Sequence, residues 1–227
     1  MQPYFFPYVG YFQLIGAVDL FVVYDNIKYT KKGWINRNRI LQNGKSVTIT
    51  LPLKGDSDSL HVRDRELATD YGPDKLLNQL KGAYQRAPQF EPTFALVERV
   101  MRGGERNLFR FLHNSIVETC RHLGIATDIR ISSGIAIDHE LKNQDKVLTL
   151  CEALGATQYV NAIGGAELYS REAFQARGID LKFIRASPFE YPQFGGAFVP
   201  WLSIIDVLMF NSLDAVRGFL AKDFELV

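Results

Sequence analysis

The chain has 227 residues, 47% of them apolar and 22% charged, the composition of an ordinary globular protein with a sizeable core. A formal net charge of +1 argues against a dedicated nucleic-acid or membrane binder. Two cysteines without CxxC or HExxH spacing argue against a disulfide framework or a structural zinc site, and no apolar run approaches the ~18 residues of a membrane span.

MQPYFFPYVGYFQLI opens the chain with aromatic rings, two prolines and a glycine, and lacks the basic n-region of a secretory signal, so a cytoplasmic location is expected. Tyr11, Leu14, Ile15 and Val18 recur at helical spacing and predict a short amphipathic helix. Leu20 to Tyr24 is an unbroken apolar run ending at Asp25, as suits a strand buried on both faces. Asn43-Gly44 separates RNRIL from SVTITLPL and reads as a hairpin turn.

From Pro73 the period becomes helical. DKLLNQLKGAYQRAP, EPTFALVERVM and ERNLFRFLHNSIVETCRHLG are three helices, the last closed by Gly124. TDIRISS is a strand, NQDKVLTLCEALG a helix, TQYVNAIGG a strand running into a glycine pair, SREAFQARG a helix and DLKFIRA a strand. PWLSIIDVLMF is expected to be a helix with Pro200 at its first position, and SLDAVRGFLA the last helix. Alternating helix and strand predict one α/β domain over residues 1–227, with a mainly parallel sheet flanked by helices and residues 70–124 as a helical insertion or subdomain.

Charge is segregated within this pattern. Residues 26–54 carry Lys28, Lys31, Lys32, Arg37, Arg39, Lys45 and Lys54 and no acid, directly after a strand end, where open α/β sheets bind ligands. A basic wall facing the phosphates of a nucleotide or nucleotide-sugar is expected, against the alternative of a solvated loop. GWINRNR adds Trp34, Asn36 and Asn38, suited to stacking and planar hydrogen bonding. Asn161, Gly164 and Gly165 form a weak anion cradle or an ordinary turn. Asp206, inside an apolar helix, needs a cation or donors, and an arginine of the basic wall is one candidate. Gln144-Asp145 reads as helix capping, Gly44-Lys45-Ser46 lacks the glycine that a P-loop needs at position 39, and Asp56-Ser57-Asp58 spells the DxD of metal-dependent glycosyltransferases.

The blocks MQPYFFPYVGYFQLI, DLFVVYD, KKGWINRNRI, APQFE, YVNAIGGAELY and QFGGAFVPWLSIIDVLMFNS, in this order, resemble the WbqC-like family of bacteria. Members carry a few apolar residues ahead of the opening block, forming a first strand; here Met1 abuts the block, so either that strand is expected to be missing or the start of this sequence lies late. The resemblance implies a role in surface-polysaccharide (O-antigen) synthesis, with transfer of a glycyl group to an amino sugar. Tyr8-Val9-Gly10-Tyr11 is also similar to the HxGH segment of nucleotidylyltransferases and of pantothenate synthetase, with both histidines replaced by tyrosine. That likeness implies a nucleotidylyltransferase-like architecture and an ATP-derived acyl adenylate.

On this reading Lys28, Arg37 and Arg39 bind the anion, Asp25 is the general base with Lys28 beside it, and Trp34, Asn36 and Asn38 orient the substrate. Gln2, Tyr8, Gly10 and Tyr11 line the pocket, with Asn161, Gly164 and Gly165 opposite. The substrate is a nucleotide-linked amino sugar; no cofactor is required by the sequence, although ATP with magnesium is compatible, and neither nucleic acid nor a metal site is expected. Two alternatives stay open: a metal-dependent glycosyltransferase using Asp56 and Asp58, and a non-catalytic sugar-nucleotide binding protein.

Overall fold

The computed structural model describes residues 1–55, 57 and 59–227. The chain is mixed α/β, with parallel strand pairs and helices packed around them. Helix α1 (Val9–Gly16) leads into β1 (Leu20–Val23), followed by the hairpin β2 (Arg37–Gln42) and β3 (Lys45–Thr50). Asn43 and Gly44 both have positive φ, 52° and 71°, as a two-residue type I′ turn demands. Helices α2 (Asp74–Tyr84), α3 (Phe90–Met101) and α4 (Leu108–Leu123) come next, and Gly124 closes α4 at φ 74°. The second half alternates β4 (Asp128–Ile131), α5 (Asn143–Ala153), β5 (Gln158–Ala162), α6 (Arg171–Gln175) and β6 (Asp180–Ala186). It ends with α7 (Ile204–Phe210), α8 (Leu213–Lys222) and β7 (Phe224–Leu226), a strand with no clear signal in the sequence.

The parallel character expected of the sheet appears in two pieces. β1 pairs in parallel with β4, and β5 with β6, whose other edge takes β7 antiparallel. Between β1 and β5 lies a cavity of about 360 Å³, lined by Leu20, Phe21 and Val22 on one side and Tyr159, Val160 and Asn161 on the other. Met1 runs along the free edge of β1: its amine donates to Val22 O at 2.7 Å and its carbonyl accepts from Tyr24 N at 2.9 Å.

α1 is buried nearly all round rather than amphipathic, because it is held between α8 and the pair β5–β6. The helices α2 to α4 share one core with α1, β2, α7 and α8, while a smaller cluster around Phe174, Leu181 and Phe183 sits under α5 and α6. α7 starts four residues later than Pro200 suggests. Ser203 is its N-cap, with Oγ accepting from Ile205 N, and the backbone before it is extended or left-handed, including Trp201 at φ 61°. Among the described residues no helix is long and apolar enough to cross a membrane.

Candidate functional site

The opening segment is strapped down residue by residue. Phe5 and Phe6 are each 1% exposed, which contributes roughly 2 kcal/mol apiece from burial. The Asn38 amide donates to Phe5 O at 2.9 Å and to Phe6 O at 2.8 Å; the Ser203 hydroxyl donates to Phe6 O at 2.7 Å, and Ile204 N to Pro7 O at 2.9 Å. These bonds hold Phe6 at φ 41° and aim the neighbouring tyrosines the other way. Tyr4, Tyr8 and Tyr11 line a cavity of about 510 Å³. Gly10 permits this: a Cβ there would meet the Tyr8 ring at 3.2 Å.

The remaining walls of the cavity come from Trp34, Arg39 and Trp201, from Ala162 and Ile163 at the end of β5, and from Ile184, Arg185 and Ala186 at the end of β6. The cavity thus opens at the carboxyl ends of parallel strands and at the start of α1, the usual place for a ligand in α/β proteins. No side chain caps the α1 N-terminus and its first turn holds no acid, while Tyr8, Gly10 and Tyr11 at that helix start line the cavity.

Arg185 on this wall is paired with Glu225 at 2.7 Å, and the other cation is Arg39. Its guanidinium lies 5.0 Å from the Trp34 ring, one Nη donates to Trp201 O at 2.9 Å, and its Nε is buried without a partner. Tyr8 and Trp201 meet at a ring-centroid separation of 5.2 Å, and Trp201 is 61% exposed. Among the described residues no Asp, Glu or His lines the cavity. Burial raises the Tyr4 and Tyr8 hydroxyl pKa values, so neither takes a proton at neutral pH.

Tyr8, Gly10, Tyr11, Trp34, Asn38 and Arg39 are therefore brought together as expected, but the basic wall is not. Lys28, Lys31, Lys32, Lys45 and Lys54 are exposed, and Arg37 spends its guanidinium on Gly33 O at 2.9 Å and Lys32 O at 2.5 Å. The period-2 alternation of β2 explains the difference between amides and guanidiniums. Arg37 and Arg39 share the outer face beside Trp34, whereas Asn36 and Asn38 point inward as scaffold. Asn36 accepts from the Tyr29 hydroxyl and donates to Leu51 O, both at 2.8 Å.

The other expected residues lie apart from the cavity. Asp25 is 4% exposed and accepts from the Ser132 hydroxyl at 2.8 Å and Ser133 N at 3.0 Å, with Arg63 at 3.8 Å; it ties the end of β1 to β4, and its ionic partner is Arg63 rather than Lys28. Gln2 accepts from the Tyr4 hydroxyl through its side chain and from the Tyr11 hydroxyl through its carbonyl. Asn161 lines the cavity between β1 and β5, and the glycine pair lies in a short 3₁₀ turn (Ile163–Leu168), where a Cβ on Gly165 would come within 3.0 Å of the Asn161 amide. Asp206 finds donors and no arginine: the Tyr84 and Tyr191 hydroxyls and the Gln193 amide, each at 2.7 Å. Asp56 and Asp58 fall outside the described residues, and among those described no three His, Cys, Asp or Glu cluster as metal ligands would.

Residues that sequence reasoning missed are Gln13, Arg185 and Trp201. Gln13 was visible only as a polar residue within an apolar helical run, and Trp201 as an aromatic after a glycine-rich stretch; Arg185 carried no signal.

The WbqC-like protein family model matches residues 2–218. A protein of Mycobacterium tuberculosis, described as the uncharacterized protein Rv1507c, is 29% identical over 220 residues, 93% of this chain and 91% of its own length. No solved structure matches the chain.

Proposed function

The chain belongs to the WbqC-like protein family, and on that premise we propose that its aromatic cavity binds a nucleotide-linked amino sugar, the acceptor of a glycyl or similar small acyl group in surface-polysaccharide synthesis. One observation carries the reading: the start of α1, Arg39 and the Tyr8, Trp34 and Trp201 rings all line one cavity. The helix start and the guanidinium suit a phosphate, and the rings suit a base or sugar face.

The cavity contributes binding and orientation rather than carboxylate or imidazole acid–base chemistry, since among the described residues no Asp, Glu or His lines it. The acyl donor must therefore arrive activated, as an acyl adenylate would. The neutral amine attacks the acyl carbon, the C–N bond forms, and the C–O bond to phosphate breaks with its electron pair going to AMP. The amine's proton leaves to the released phosphate or to water. The same lack of a base favours, as a second reading, a protein that binds the sugar nucleotide without turning it over.

Calorimetric titration with amino-sugar nucleotides, followed by incubation with ATP and amino acids and mass spectrometry, separates these readings. Arg39→Ala is expected to weaken binding by about 2 kcal/mol. An N-acylated sugar with AMP supports transfer, saturable binding without product supports the second reading, and absence of binding overturns both.

A further inference from the structure

Three residues of the aromatic cavity, Tyr8, Ala186 and Trp201, also line a second, smaller cavity of about 240 Å³. Its further walls include Phe189, Glu190, Tyr191 and Phe198. Rings and a carboxylate suit a small group that carries a cation, as an aminoacyl group does. The tyrosines of the larger cavity differ in what their hydroxyls do. Tyr4 donates to the Gln2 side chain at 3.2 Å and Tyr11 to Gln2 O at 2.9 Å, whereas the Tyr8 hydroxyl makes no hydrogen bond among the described residues. Tyr8 is half-buried, and its hydroxyl is not one of the unpaired polar atoms closed off from solvent, so a ligand can reach it. The ring is packed on two sides: a Cβ on Gly10 would meet it at 3.2 Å, and the Trp201 ring stands 5.2 Å away.

A donor with no partner in the fold, held in a wall that two cavities share, is placed to serve a reaction between their occupants. Resting on the reading above, we propose that the smaller cavity takes the acyl end of the acyl adenylate and that Tyr8 is a catalytic residue: its hydroxyl donates to the acyl carbonyl oxygen as the amine held in the larger cavity attacks. The C–N bond forms as the carbonyl π pair moves onto oxygen, and the Tyr8 O–H supports that oxyanion while keeping its own proton. Return of the pair restores the carbonyl and expels the phosphate of AMP. Burial raises the Tyr8 pKa, so the hydroxyl remains a donor at neutral pH.

The test has two arms on the full-length protein. In the first, the unsubstituted protein is titrated with glycyl sulfamoyl adenosine, a stable analogue of glycyl adenylate, with and without a saturating UDP-hexosamine that binds in the titration above. Separate cavities predict affinities for the analogue within about threefold of each other. A larger loss, as competition for one cavity would give, or no binding of the analogue, overturns the donor cavity. In the second arm, Tyr8→Phe keeps the ring and removes only the hydroxyl. In the transfer assay kcat is expected to fall about 100-fold, with KM for the sugar nucleotide within about twofold. An unchanged kcat, or a loss confined to KM, overturns the role of Tyr8. If no UDP-hexosamine binds, or if the unsubstituted protein acylates none, the reading of the larger cavity fails and this inference with it; binding and transfer that survive in Tyr8→Phe overturn the inference alone.

Discussion

Trp201 is a bulky residue in the left-handed region at φ 61°, with most of its surface in solvent. That conformation costs a non-glycine residue roughly 1–2 kcal/mol, and it persists here because Arg39 holds the Trp201 carbonyl and Ser203 is fixed to the opening segment. Strain of this kind, on an exposed ring facing Tyr8 at a cavity mouth, is consistent with selection for binding rather than for stability. Trp201→Gly therefore separates the two. Relief of strain offsets the added chain entropy of glycine, so thermal unfolding should leave Tm within about 4 °C of the unsubstituted protein. Affinity for a sugar nucleotide should fall about tenfold through loss of the stacking ring. A large drop in Tm with unchanged affinity would show the indole to be packing alone.

Among the elements, α7 depends on a single carboxylate. Asp206 is fully buried, and burial raises its pKa even though two tyrosine hydroxyls and an amide donate to it. These bonds join α7 to α2 through Tyr84 and to the 187–203 segment through Tyr191 and Gln193. Asp206→Ala strands three donors and should lower unfolding stability by about 3 kcal/mol in urea titration; a loss below about 1 kcal/mol would mean that water replaces the carboxylate at little cost. Elements of this chain were legible where a local rule decided them. Asn43-Gly44 needs two positive φ values and Gly124 needs one, and both turns fall where the sequence places them. What local rules leave open is direction: the same seven residues GWINRNR send guanidiniums outward and amides inward, a choice made by the loop and strand that Asn36 and Asn38 must hold. The lysines of residues 26–54 misled for that reason, since charge segregation along a chain says nothing about which side faces a cavity.

At the scale of the whole molecule, near-neutral charge means that stability against acid is set by a few buried groups rather than by general repulsion. His113 and His122 on α4 both have lowered pKa values: burial is the cause for His113, and burial with the neighbouring Arg99 and Arg217 for His122. A base whose folded pKa lies below its unfolded value binds fewer protons when folded, so its penalty is absent above pH 6.5 and grows as pH falls toward the folded value. Asp25 acts lower. Burial alone would raise its pKa, but Ser133 and Ser132 donate to the carboxylate and hold it below 3.8, so its contribution is lost only as pH falls beneath that. Asp206 opposes both, because its raised pKa makes the protonated form the better one in the fold and returns stability as pH drops toward 3.8. Tm should therefore decline between pH 7 and pH 5, the window shared by the two imidazoles and the Met1 amine, whose pKa burial lowers to about 5, and flatten before the Asp25 loss. His113→Leu removes an imidazole whose Nε2 is buried without a partner and should shallow that decline. Scanning calorimetry at half-unit pH steps reads both slopes, and an equal decline in the two proteins would assign the acid loss to groups other than His113.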